Sequence, residues 1–198
     1  MMSASRFGSS VAWPLVSENL RSYTKAIYGL DAAVQRVGED QWDQPSPCEG
    51  WSARDVVGHN IGMCNMIAGF AAGVGAAGPD ETTPLDPKAE WAVARDGVLE
   101  ALDQQGALQI KTQTPWGNLQ VDRFLGIVAV DPLTHTFDLA RATGQDIVMD
   151  EDMAAAGYAQ IKAAGDAVRQ GGRFEPAAEV ADDASIVDKF VAMTGRRP

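Results

Sequence analysis

The run "IVAVDPLTHTFDLARATG", Ile127–Gly144, sets a carboxylate and an imidazole, Asp131 and His135, four residues apart inside an otherwise apolar stretch. Positions four apart on an α-helix share one face. Traced at steps of three and four, that face reads Phe124, Val128, Asp131, His135, Leu139 and Ala142. Both polar groups therefore fall on the line that an amphipathic helix turns to its core. An ionised acid there costs on the order of several kcal/mol unless something pairs with it. Gly144 suits the left-handed position that ends a helix, so this run is read as the fourth helix of the chain.

The same periodicity extends in both directions. Upstream, "WSARD" offers a capping box, Ser52 with Asp55 three residues on, and a second helix is expected from about Ala53 to about Phe70. Its apolar face reads Val56, His59, Met63, Ile67 and Phe70, so His59 also points inward, and the chain has only two histidines. A first helix carries Val16, Leu20, Tyr23, Ile27, Leu30, Val34 and Val37 on one face. After a long Gly- and Pro-rich loop, "AAGVGAAGPDETTPLDP", a third helix starts near Lys88 and turns Trp91, Val98 and Leu102 inward. "GALQIKTQTPWGN" suggests a small hairpin or an irregular crossover. Downstream, an alanine-rich helix from Glu151 to Gln170, a loop from Gly171 to Asp182 and a terminal helix around Ile186–Met193 complete the reading. Without internal repeats or βαβ alternation, the fold class expected is mostly α: a four-helix bundle with extra C-terminal helices and a short hairpin. The whole chain, 1–198, is read as a single domain with a C-terminal extension from about residue 171.

Composition narrows the partners. Hydrophobic residues make up 45% of the 198 and the net charge is −11. So acidic a surface repels phosphate backbones and anionic lipid, which argues against nucleic acid and membrane as partners. Cys48 and Cys64 form neither a disulfide framework nor a cysteine zinc motif. The first residues lack the apolar core of a signal peptide, and the longest apolar run, "FLGIVAV", is too short to span a bilayer. A cytoplasmic location is expected.

Inward-facing positions on two helices thus carry His59, Asp131 and His135. Two imidazoles and one carboxylate form the ligand set of catalytic zinc sites, and the same set suits non-haem iron, nickel or manganese. Convergence on one divalent ion is one reading. Histidines hydrogen-bonded within a core, an Asp–His pair closed on itself, or Asp131 as the N-cap of a helix restarting at Pro132 are the others.

"PCEGWSARDVVGHNIG" and "VDPLTHTFDLARATGQD" resemble, in order and separation, the two signature regions of the DinB-like superfamily. More closely they resemble its actinobacterial branch of mycothiol-dependent maleylpyruvate isomerases, and "DDASIVDKFVAMTGRRP" is similar to the end of small metal-binding members. The resemblance implies an up-down-down-up four-helix bundle with a divalent metal, zinc first and nickel second, at one end of its core. The implied ligands are His59, Asp131 and His135, the acid here being Asp where the isomerase resembles a Glu version. It also implies a low-molecular-weight thiol such as mycothiol as cofactor, and an S-transfer or isomerase reaction on a small electrophile, with the metal activating the thiol. A metal-dependent hydrolase, with Asp138 or Glu49 as base, and a non-catalytic metal-binding bundle are the alternatives. A second copy of the chain is a candidate partner.

Lesser candidates surround this set. Asp138, three residues after His135, could orient an imidazole or pair with Arg54 or Arg141. Arg141 could grip a substrate carboxylate or sit exposed at a helix end. Trp51 and Trp116 could wall a pocket or belong to the core. Cys48 could be a nucleophile or an inert packed thiol. The loop at 71 to 80 could cover the site or be plain surface.

Overall fold

The structure is a computed structural model, described here for residues 17–75, 78–79, 82–114, 116–169 and 174–198. Four helices make the bundle: α1 (Glu18–Gln35), α2 (Ala53–Ala71), α3 (Pro87–Asp103) and α5 (Val130–Ala142), the last preceded by a short α4 (Val121–Val128). A hairpin of β1 (Lys111–Thr114) and β2 (Gly117–Gln120) joins α3 to α4, and α6 (Glu151–Ala164) and α7 (Ile186–Met193) follow. This is the mostly α bundle with C-terminal additions that the periodicity implied. No helix among the described residues is long and apolar enough to cross a membrane.

Local chemistry sets the boundaries. Ser52 and Asp55 close the expected capping box at α2, each side chain satisfying a backbone N–H that the helix start leaves orphaned. Asp86 and Pro87 open α3, with the Asp86 side chain accepting from Ala89 N–H. The hairpin pairs Thr114 with Gly117, resolving the hairpin-or-crossover question; Pro115 at its turn lies outside the described residues. At the end of α5, Gly144 adopts φ 65°, and Gln145 N–H reaches back to the Ala140 carbonyl, as in a Schellman ending.

Two boundaries differ from the sequence reading. The fourth helix is broken: α4 stops at Val128, and α5 begins at Val130. Pro132 has no N–H to give the Val128 carbonyl, so the ladder lapses and the chain restarts, with Asp131 in the new first turn rather than at its N-cap. The alanine-rich helix ends at Ala164 instead of Gln170, because Gly165 takes φ 56° and a 3₁₀ turn, Gly165–Arg169, follows; Gln170 itself lies outside the described residues, as does Val16.

Two apolar clusters form the interior. The larger joins Tyr23, Ile27, Leu30 and Val34 of α1 to Val56, Ile67 and Phe70 of α2, Trp91 and Val98 of α3 and Phe124 of α4. The smaller gathers Leu133 and Phe137 of α5, Ala154 and Ile161 of α6 and Phe190 of α7. Gly157 lets α6 and α7 meet: a Cβ there would lie 2.6 Å from the Phe190 ring. Two buried hydroxyls on α5 are satisfied locally. Thr134 and Thr136 donate to the carbonyls of Val130 and Pro132, one turn back.

Candidate metal centre and its acid neighbour

α2 and α5 run side by side and bring their polar positions together. His59 Nε2 stands 3.3 Å from Asp131 Oδ2, and His135 Nε2 stands 3.7 Å from Asp131 Oδ1. The two imidazole centroids are 5.0 Å apart. His59, Asp131 and His135 each offer a donor atom within 4.8 Å of the others. Donors held about 2.1 Å from an ion at tetrahedral angles would stand about 3.4 Å apart, so the spacings of 3.3 and 3.7 Å fit one ion of zinc's size. Burial is graded: 7% of the His135 side chain is exposed, 15% of His59 and 26% of Asp131, which leaves the carboxylate as the solvent-facing edge. Burial raises the Asp131 pKa, but His135, His59 and Arg196 more than offset it, and the group lies below the ordinary carboxylate value.

The loop before α2 supplies the wall. Gly50, at φ 78°, turns the chain so that Trp51 N–H bonds to the Cys48 carbonyl, while Ser46 N–H reaches the Trp51 carbonyl at 2.8 Å. Trp51 thereby lies beside both imidazoles, tilted against His59 with centroids 5.1 Å apart and stacked on His135 at 5.9 Å. Trp116 sits elsewhere, in the hairpin turn, 42% exposed and against Phe124.

Behind His135 lies a second acid. Asp138 is wholly buried, and its Oδ2 is 2.9 Å from His135 Nδ1. The spacing of three residues on one helix brings the two side chains into this contact. Its arginine is neither Arg54 nor Arg141. Arg54 bonds to Asp43 and to the carbonyls of Pro84 and Leu85. Arg141 is exposed, with its guanidinium carbon 5.8 Å over the Phe137 ring. The partner is Arg196, near the C-terminus: its Nε donates to Oδ1 at 3.1 Å and its Nη2 to Oδ2 at 2.9 Å. Burial raises the Asp138 pKa, yet His135 and Arg196 outweigh it and bring the carboxyl down to about 2.

Cys48 completes this second group, with Sγ 3.2 Å from Asp138 and 3.1 Å from Arg196 Nη2. Burial and the Asp138 charge push its thiol up to about 12, the state of a packed thiol and not of a ready nucleophile. Cys48, His135 and Asp138 also stand close enough to share an ion. A guanidinium already spans both carboxylate oxygens there, and its charge repels a second cation. The His59, Asp131 and His135 set is the better metal candidate.

Sequence reasoning missed Arg196, and the signal available was the tail's "TGRRP". Of the expected covering loop, 76, 77 and 80 lie outside the described residues, and the described positions 72–75 are exposed. The chain instead closes on α2 at Thr82, whose carbonyl lies where a Cβ on Gly58 would be, 1.8 Å away. A shallow groove of about 550 Å³ runs along the C-terminal segment past Ala178, Val180 and Arg197, and shares no lining residue with the imidazoles.

Comparison with known proteins bears on the fold and the family. Two uncharacterized proteins of Mycobacterium tuberculosis, one from each of two strains, are 27% identical over 151 residues, covering 73% of this chain and 78% of theirs. The crystal structure of a histidine-to-alanine mutant of the mycothiol-dependent maleylpyruvate isomerase superposes with a TM-score of 0.50 at 16% identity, over 73% of this chain and 68% of that one. That likeness bears on the fold. The family model described as the mycothiol maleylpyruvate isomerase N-terminal domain matches residues 23–140, from the middle of α1 to the last turn of α5. The chain belongs to that family.

Proposed function

We propose that this chain is a metal-dependent enzyme of the mycothiol type, transferring a low-molecular-weight thiol to a small electrophile. The observation that carries the reading is the spacing of His59 Nε2, His135 Nε2 and the Asp131 carboxylate at the edge length of a tetrahedron around one divalent ion. These residues would hold the ion, zinc or nickel. When bound, it supplies a positive charge that makes a nearby thiol acidic enough to ionise near neutral pH. The remaining tasks fall to the chain. Asp138 holds the His135 ring in place through Nδ1, and Trp51 shields both rings from solvent on one side.

Thiol chemistry fits better than hydrolysis. Activating water calls for a general base beside the centre, but the two acids available serve poorly: Asp138 is engaged at both oxygens and Glu49 is exposed. Isomerisation is the closest alternative, favoured by the name of the matching family. It shares with transfer the first event, attack of the thiol on an electrophilic carbon.

Tag-free protein is to be assayed for metal content, then titrated with mycothiol by calorimetry in zinc-loaded and metal-free forms. Zinc at one per chain, metal-dependent thiol uptake and conjugation of a bimane electrophile are expected. Failure to take up any divalent metal, or a loaded protein indifferent to mycothiol, overturns the reading. Turnover of maleylpyruvate without conjugate formation assigns the isomerase instead.

A further inference from the structure

We propose that Arg196 is the positioning residue of this centre: a guanidinium from the C-terminal tail locks Asp138, and Asp138 in turn fixes the His135 ring with Nδ1 carrying the proton and Nε2 bare toward the ion. The inference rests on the metal reading above and names a residue on which that site depends.

The tail is built to deliver this group. Thr194, wholly buried, follows α7 and bonds back to the carbonyls of Phe190 and Val191. Gly195 then takes φ 88°, and a Cβ there would lie 2.5 Å from the Glu175 Cβ. Both the backbone conformation and the close approach call for glycine. The turn sends Arg196 inward. Its Nη1 donates to the Thr194 carbonyl at 3.1 Å, while Nε and Nη2 fork across the two oxygens of Asp138. A planar fork on a carboxylate sets orientation as well as charge.

The consequence passes to His135. Asp138 Oδ2 lies 2.9 Å from Nδ1; with the proton on that nitrogen, Nε2 is left as a lone pair on the side of Asp131. Metal-bound imidazoles are held this way by outer partners, whose loss weakens binding about ten- to a hundred-fold. An Asp138 no longer clamped can rotate about its terminal torsion, and the ring loses its preferred tautomer.

With only two histidines in the chain, long-range nitrogen–proton NMR at alkaline pH reads each ring in tag-free, metal-free protein. The wild type is expected to show His135 as the Nδ1–H tautomer. Arg196→Gln is expected to show a mixture and to bind zinc about ten- to a hundred-fold more weakly in competition with a chromophoric chelator. Arg196→Lys, which keeps charge and loses the fork, falls between. Arg197→Gln, the neighbour outside the network, matches the wild type in both readouts. The proposal is overturned by Arg196→Gln retaining the wild-type tautomer with affinity within about two-fold, or by Arg197→Gln moving both readouts equally. If Arg196→Gln does not fold, Arg196→Lys decides alone. Wild-type protein that ignores zinc sinks the metal reading, while the tautomer still judges the role of Arg196.

Discussion

Two carboxylates flank one imidazole, and they have different partners. Asp138, wholly buried, meets a guanidinium from its own chain, a thiol and the Nδ1 side of His135. Asp131, a quarter exposed, lies beside two imidazoles, one from each of two helices. The first acid is neutralised internally by a charge whose position is fixed by a helix end and a glycine turn. The second sits among imidazoles, a donor type that shares a divalent ion well. On the proposed metal reading, buried charge has two uses in one site: one pair makes the scaffold rigid, and the other leaves its charge for a ligand.

The largest effect separating the two should be in metal content. His59→Ala and His135→Ala are each expected to purify without zinc, as is Asp131→Asn, which keeps the shape and removes the charge. Elemental analysis beside the wild type checks this. Retention of zinc by Asp131→Asn would move the centre to the Asp138 side and undo the contrast.

Stability should run the other way. Asp138→Ala leaves the Arg196 guanidinium buried without its carboxylate, a change that costs about 3–5 kcal/mol when one partner of a buried pair is lost. Denaturant unfolding of the metal-free protein measures it. The same measurement on Asp131→Ala should give under about 1 kcal/mol, since that group is partly solvated and leaves no stranded charge. Replacing both partners, Asp138→Leu with Arg196→Met, should recover much of the loss while leaving zinc binding weak. Equal costs for the two alanine variants would show that the acids do not differ in role.

A smaller cost belongs to the turn that delivers the arginine. Gly195→Ala forces a side chain into a left-handed conformation and against Glu175, for about 1–3 kcal/mol. Thermal unfolding reads it, and zinc affinity should fall along with stability because Arg196 is displaced. A stable variant with weakened zinc would place the turn's role in positioning alone.

How much of this was legible depended on sequence distance. His59, Asp131 and His135 were visible because helical spacing put each on an apolar stripe, and two helices of one bundle bring such stripes together. The break at Ala129 is only half visible in the sequence: Pro132 marks a candidate helix start, yet its missing N–H releases the carbonyl four residues earlier, so the restart lies ahead of the proline. For Asp138 the spacing leaves two readings open, an imidazole contact or a salt bridge, and its arginine lies 58 residues on. The arginines at hand were Arg54, which serves the loop at Pro84, and Arg141, which lies over Phe137. Periodicity says which face a residue occupies, but not which distant chain end folds over that face. Gly195 was the one local hint, a residue after a helix that permits a reversal.

The smallest effect tests whether the imidazole wall depends on the helix start beneath it. Ser52→Ala removes the side chain that accepts from Asp55 N–H and donates to the Asp55 carboxylate, at about 1 kcal/mol for an N-cap of this kind. Trp51 precedes this cap and His59 lies two turns along, so zinc content should stay unchanged while Trp51 emission shifts modestly. The Ser52 hydroxyl and N–H hold the Asp55 carboxyl below its ordinary pKa. A carboxyl depressed in the folded state stabilises the fold at every pH above its ordinary value, and that contribution fades as acid protonates it in the folded protein. The Ser52→Ala penalty should therefore be constant at neutral pH and shrink below about pH 4. A penalty independent of pH would assign the box's strength to the Ser52 hydroxyl alone, and a loss of zinc in this variant would tie the centre to the helix start and not to the acids beneath it.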